Sequence, residues 1–159
     1  MSSSSLTPLV ERALARAAVD QNGFGGNCAK VATILDHVLQ AQGDFVVVTG
    51  EHYEYADHVF LRWEGLLWDL DGPLSAEEAD EQWGEEETEL EDFPDPQHQS
   101  IHRMADDNGC FAGGFDATRF HNDLLTFLES EGFPLDVRAR QPLTDFTESP
   151  KKSRRSPRP

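Results

Sequence analysis

The chain predicts an α+β fold in which N-terminal helices pack on a small antiparallel sheet. Three observations carry this expectation. Apolar residues recur at helical spacing over roughly 8–20, 28–42 and 117–131. Between the second and third of these stretches lie short runs rich in β-branched and aromatic residues, bounded by glycine. Two of those runs flank Glu64-Gly65, a tight-turn signal that folds them back on each other as a hairpin.

Taken in order, the serine run at 2–5 is expected to fray. Thr7-Pro8 then offers an N-cap followed by proline at the first helical position. Leu6, Val10, Ala13, Leu14 and Ala17 follow with helical spacing. "QNGFGGN" breaks that helix, and a second runs over 28–42, with Asn27 as N-cap and Gly43 closing it. Its apolar stripe is Val31, Ile34, Leu35, Val38 and Leu39. "DFVVVTG" reads as a buried strand over 45–49, and "HVFLRWEGLLWDLDG" as paired strands over 58–63 and 66–71. Residues 75–95 hold 11 acids in 21 positions. Ser75 and Glu78 match a capping box before Gly84 interrupts, and the whole of 75–99 is expected to be an acidic insertion, solvated or looped. "FPDPQHQS" is a proline-broken connector. Asp116 caps the third helix and Gly132 follows it. "LDVRAR" is expected to add an edge strand, and disorder is expected from about residue 142.

These boundaries imply one domain over 7–141, with loose ends at 1–6 and 142–159. The formal charge is −17 over 159 residues, but five of the 13 basic side chains sit in the terminal "KKSRRSPRP". The preceding 150 residues therefore carry a net charge of −22. Such a body repels nucleic acid and anionic membranes and attracts basic partners, while acidity alone also keeps a protein soluble. No apolar run approaches the ~20 residues that span a bilayer. The first 20 residues carry charges through their apolar positions, unlike an export signal, so a cytoplasmic location is expected.

Two cysteines are too few for a disulfide scaffold, and no CxxC pair suggests structural zinc. His98 and His102 stand four apart, but Pro94 and Pro96 interrupt their surroundings and no third ligand is apparent. Cys110, in "DNGCFAGGFD", is expected to fill space. No phosphate-loop or dinucleotide fingerprint occurs. Neither a metal nor a cofactor is therefore expected.

One constellation remains. Cys28 stands where a glycine-rich loop becomes a helix, and the free amide N–H groups of a first helical turn favour a thiolate. His58, at the start of a strand expected beside that helix, is the natural base. With Glu64-Gly65 as a two-residue turn, Trp63 pairs with Leu66, Phe60 with Asp69 and His58 with Asp71. Directly opposed side chains stand about 5 Å apart, which favours Asp71 as the acid that orients His58, and Asp69 lies one diagonal away. A one-residue change of register would reverse that preference, so both acids remain candidates.

The stretch "GGNCAKVATIL … ADHVFLRWEGLLWDLDGP" resembles the papain-like superfamily in its circularly arranged branch. That branch includes transglutaminase-like and arylamine N-acetyltransferase-like proteins and bacterial or phage cysteine peptidases and amidases. The resemblance covers roughly residues 20–73. It implies Cys28 as nucleophile, His58 as base and Asp71 or Asp69 as orienting acid, with Gln21, Asn22 and Asn27 as candidate oxyanion donors. The arginine motif of arylamine acetyltransferases and the calcium signature of animal transglutaminases are missing. The expected activity is cysteine-dependent acyl transfer, chiefly amide hydrolysis by a peptidase, amidase or glutamine deamidase. The expected substrate is a protein or peptide, with basic groups favoured by the acid run. The alternatives are a transglutaminase-type transferase and a non-catalytic acidic interaction protein or inhibitor that imitates nucleic acid.

Overall fold

The computed structural model describes residues 6–22, 27–49, 56–83, 89–106 and 114–143. The expectations for the serine run, for Cys110 and for the basic tail lie outside the described residues.

Helix α1 (Thr7–Ala17) buries Val10, Ala13, Leu14 and Ala17 on one stripe, as its spacing dictates. It stops at Ala17, short of residue 20, in a turn that ends on Asp20 at φ 61°. Helix α2 (Asn27–Leu39) begins one residue earlier than expected, so Asn27 is its first helical residue rather than its cap. It is enclosed on nearly every side. Its end also differs from the expectation: Gln40 takes the left-handed conformation (φ 56°) that stops the helix, three residues before Gly43.

Gly43 is needed for another reason. At φ +69° its backbone lies so near Pro96 that an added Cβ would stand 2.7 Å from both the Cβ and the carbonyl oxygen of that proline. Its N–H is held at 2.9 Å by Asp36 Oδ1.

Strands β1 (Phe45–Thr49), β2 (Ala56–Trp63), β3 (Leu66–Asp69), β4 (Gly72–Leu74) and β5 (Glu89–Phe93) form one five-stranded sheet in the order β4-β3-β2-β1-β5, antiparallel throughout. Glu64 (φ 55°) and Gly65 (φ 76°) make the β2–β3 turn with both central residues left-handed, and Trp63 pairs with Leu66 as expected. The β3 strand ends at Asp69, not 71. Leu70 and Asp71 form a second tight turn, and Asp69 pairs with Gly72 of β4.

The acidic run holds more structure than its charge suggests. Helix α3 (Ala76–Trp83) starts on a reciprocal capping box, with Ser75 N–H donating to Glu78 Oε1 at 2.8 Å and Glu78 N–H to Ser75 Oγ at 3.0 Å. The β5 edge strand pairs with β1 along its length, and Arg62 adds a tie, its guanidinium bonding Asp44 at 3.0 Å and Asp92 of β5 at 2.9 Å. Helix α4 (His98–Asp106) follows where a connector was expected. Its prolines precede the first turn instead of interrupting it, and Asp95 accepts from Gln97 N–H at 3.0 Å and Ser100 Oγ at 2.6 Å. Helix α5 (Ala117–Ser130) is capped by Asp116 as expected. The segment expected as an edge strand is instead a single helical turn, α6 (Val137–Arg140), because the Asp136 carboxylate accepts from Arg138 N–H at 2.8 Å and starts a helix.

The sheet separates two apolar layers. On one face Phe45, Val47, Val59, Leu61 and Trp68 meet α1, α2 and α5, including the fully buried Leu14, Ile34, Leu35, Phe120, Leu124 and Leu128. On the other face Val46, Val48, Phe60 and Leu67 are covered by Ala79 and Trp83 of α3. Each such large side chain contributes about 1.5–3 kcal/mol through burial. Among the described residues no helix is long and apolar enough to cross a membrane.

Replacing Gly43 by alanine should cost about 1–3 kcal/mol, because it adds both left-handed strain and a backbone clash. Gly65→Ala, where no atom lies within 4 Å of an added Cβ, should cost less. Urea denaturation checks this: the Gly43→Ala midpoint should fall below that of Gly65→Ala, and equal midpoints would contradict the close-approach argument.

Candidate functional site

The Cys28 thiol, the second residue of α2, is free and 6% exposed. His58, the third residue of β2, is 5% exposed and Asp69, the last of β3, 4%. The three come from α2, β2 and β3, and the fold brings them together with His58 between Cys28 and Asp69. Cys28 belongs to the helix-side layer and His58 shares the opposite face with Phe60, so they meet where the first turn of α2 reaches the start of β2. A bulge assists: the β1–β2 register slips between Val48, opposite His58, and Thr49, opposite Ala56. Bulges of this kind re-aim the side chains beside them.

His58 Nε2 stands 2.8 Å from Asp69 Oδ2, and Cys28 acts on the same ring, helping Asp69 to favour its charged form. With Nε2 engaged by the carboxylate, Nδ1 is the ring nitrogen left for sulfur. Asp69 divides its oxygens: Oδ2 takes His58, and Oδ1 accepts the backbone N–H of Asp71 at 2.9 Å. This corrects the expectation that favoured Asp71. The register of the hairpin is the one expected, but the sharp turn after Asp69 carries residue 71 out of line with His58. Asp71 is exposed and supplies its amide, not its carboxylate. The diagonal partner thus reaches the imidazole, and the turn that removes its rival also fixes its carboxylate by an Asx-type bond.

Burial is the largest influence on His58 and pulls its pKa down. The hydrogen bonds to Asp69 and Cys28, with the charges of both, outweigh it and raise the value from 6.5 to about 9. Trp83 completes the surroundings. Its indole lies nearly parallel to the imidazole, with ring centroids 4.3 Å apart and planes 8° apart, while Phe60 meets the same ring edge-on at 4.8 Å. Sequence reasoning missed Trp83. The available signal was a lone tryptophan at the end of a capped, otherwise charged segment, where solvation alone gives no reason for an indole.

The three expected oxyanion donors fall apart into different tasks. Gln21 clamps the Asp116 backbone, donating from Nε2 to its carbonyl at 3.1 Å and accepting its N–H at 2.8 Å. Asn22 ties its backbone N–H to the Gly114 carbonyl at 2.8 Å. Asn27 is fully buried next to Cys28 in the chain and donates from Nδ2 to the Asn22 carbonyl at 3.1 Å. Gln21 and Asn22 therefore brace the loop–helix junction against the start of α5, and Asn27 alone directly adjoins the thiol-bearing residue.

His98 and His102 do not converge on a common point. His98 Nε2 bonds Asp36 Oδ2 at 2.7 Å, and His102 Nε2 meets Thr33 Oγ1 at 2.9 Å. Burial, aided by the neighbouring His98 and Lys30, lowers the His102 pKa to about 3, so its ring is neutral. No group of three or more potential metal ligands occurs among the described residues.

A thiol, an imidazole and a carboxylate in series can move a proton from sulfur to nitrogen and hold the resulting imidazolium. Comparison with known proteins adds no assignment: no family model matches the chain, and neither a curated protein nor a solved structure matches it.

Because the folded protein holds the His58 proton up to about pH 9, whereas an ordinary histidine releases it near 6.5, this group's stabilising contribution is fully present below 6.5 and lost as pH rises toward 9. Asp69→Asn should lower the His58 titration midpoint measured by NMR and reduce that loss of stability, whereas Asp71→Asn should leave both near their parent values. Equal effects of the two substitutions would contradict the assignment of Asp69.

Proposed function

We propose that this protein is a cysteine-dependent acyl-transfer enzyme of papain-like type, acting chiefly as an amide hydrolase. The observation that supports the reading best is the buried chain Cys28–His58–Asp69, in which each group has the partner its role requires. In this reading Cys28 Sγ attacks the substrate carbonyl carbon, forming a C–S bond and a tetrahedral oxyanion. The backbone N–H groups in the first turn of α2 have no intrahelical acceptors and receive that oxyanion, with the Asn27 amide beside them. The oxyanion collapses, the C–N bond breaks, and the imidazolium gives its proton to the departing amine. Water, deprotonated by His58, then attacks the thioester, releasing the acid and restoring the thiol. Asp69 keeps the imidazole in one tautomer and compensates its charge throughout.

Trp83 supports the same reading. A flat indole against the imidazole restricts its rotation and excludes water from one face, and it attracts the ring most strongly when that ring is positively charged. The peptide nature of the substrate and its basic character rest on the acidic composition of α3 and β5 beside the site.

The test uses a small activated ester, p-nitrophenyl acetate, as a general acyl donor. A burst of nitrophenol should appear, with the acetyl group located on Cys28 by peptide mass spectrometry. Cys28→Ser should abolish the burst, and His58→Ala should slow acylation by about 100-fold or more, the usual scale for removing a general base. Trp83→Ala should slow it less. Acetylation spread over lysines, with no selectivity for Cys28, would overturn the proposal.

A further inference from the structure

A polar hollow lies away from the thiol, where the end of α2 meets α4 and α6. It has a volume of about 370 Å3 and is lined by Asp36, His37, Gln40, Gln42, His98 and Arg138, with flanking backbone. Its charge is unusual for this molecule. In a chain of net charge −17, this hollow gathers two histidines and an arginine around one carboxylate. That carboxylate is already committed, because Asp36 Oδ2 bonds His98 and Oδ1 bonds the Gly43 amide. The His98–Asp36 pair is 18% and 9% exposed in its side chains, so it forms a braced wall and not a mobile surface contact.

Two of the remaining donors are uncommitted. Neither the Arg138 guanidinium nor the Gln42 side-chain amide makes a hydrogen bond or ion pair among the described residues, although Arg140, two residues on, pairs with Glu129 at 2.9 Å. His37 donates from Nε2 to the Gln141 carbonyl at 2.8 Å, which leaves Nδ1 as its second polar atom, and Gln40 is held in place by its bond to the His37 carbonyl at 2.9 Å. The groups facing His37 are Asp36 and Gln40 from α2, His98 from α4, His121 from α5 at a ring separation of 5.6 Å, and Arg138 and the Gln141 carbonyl from the α6 end. The charges that act on His37 come from His121, His98 and Arg138, and they add to the effect of burial in holding its pKa below 6.5.

We propose that this hollow is a binding site for a small oxyanion, with phosphate or a phosphate monoester as the best match, gripped by Arg138, His37 and Gln42. A guanidinium fork suits tetrahedral oxygens, the Gln42 amide adds a directional donor, and His37 adds an Nδ1–H when its ring is protonated, since its Nε2–H already serves the Gln141 carbonyl. A bound oxyanion offsets the positive charge of Arg138 beside His37, so occupancy and protonation of His37 reinforce each other. Binding therefore raises the His37 titration midpoint. The site is independent of the thiol chemistry proposed above.

The experiment is an NMR titration of the His37 ring with inorganic phosphate, against chloride and acetate at matched ionic strength. Phosphate should raise the His37 midpoint at concentrations where chloride and acetate do not. Arg138→Ala, on an exposed position of a short helix, should weaken the effect about 10-fold or more, and Arg138→Lys should restore only part of it. Phenyl phosphate separates the two sources: tighter binding than inorganic phosphate assigns the site to monoesters, and weaker binding assigns it to the free ion. A response to phosphate no larger than that to acetate, or one unchanged in Arg138→Ala, would overturn the proposal.

Discussion

The bond between His58 Nε2 and Asp69 Oδ2, at 2.8 Å and with both side chains nearly excluded from solvent, is the constraint around which the sheet and its covering helix are arranged. An imidazole buried alone releases its proton and drifts; one paired to a fixed carboxylate keeps both its proton and its orientation. The carboxylate is fixed because the β3–β4 turn gives its other oxygen to the Asp71 amide. That turn in turn depends on Gly72, whose φ of 111° is accessible mainly to glycine. A backbone requirement two strands from His58 is thereby linked to the orientation of its imidazole.

The acidic stretch takes part in the same arrangement. Its capping box starts α3 in the correct register for Ala79 to fill the second apolar layer and for Trp83 to lie against His58. A single-turn slip of α3 would expose the imidazole to water. Charge repulsion along the stretch works against compactness, and Arg62 offsets part of it by bridging Asp44 and Asp92. Partly exposed bridges of this sort are worth at most about 1 kcal/mol each, so apolar contact supplies most of the attachment.

Much of this architecture was legible in residue order. The three main helices, the hairpin turn and the pairing of Trp63 with Leu66 follow from periodicity and turn chemistry, which are local properties. The failures are equally instructive. Register arithmetic placed Asp71 opposite His58 because it assumed that β3 continues. The turn at Leu70-Asp71 that ends the strand is a short-range event that the apolar pattern does not encode. Strand β5 was hidden because Glu-Leu-Glu-Asp-Phe reads as solvated unless β1 already offers it an edge. Helix α4 was hidden because Pro94 and Pro96 were read as breakers, when prolines placed before a first turn are compatible with a helix start. Gln21 looked like an oxyanion donor from its place before the cysteine, and only tertiary contact reveals its attachment to Asp116. The stack of Trp83 on His58 joins residues 25 positions apart through a helix whose docking no local rule foretells.

The central claim is that His58 serves Cys28 as its base. It is tested most directly by the rate of iodoacetamide alkylation of Cys28 as a function of pH, in the parent and in His58→Ala. The account predicts that the parent is alkylated near pH 7 at least about 10-fold faster than the variant, and that the advantage shrinks as pH rises past the His58 titration near 9. Identical rate profiles for the two proteins across that range would contradict it.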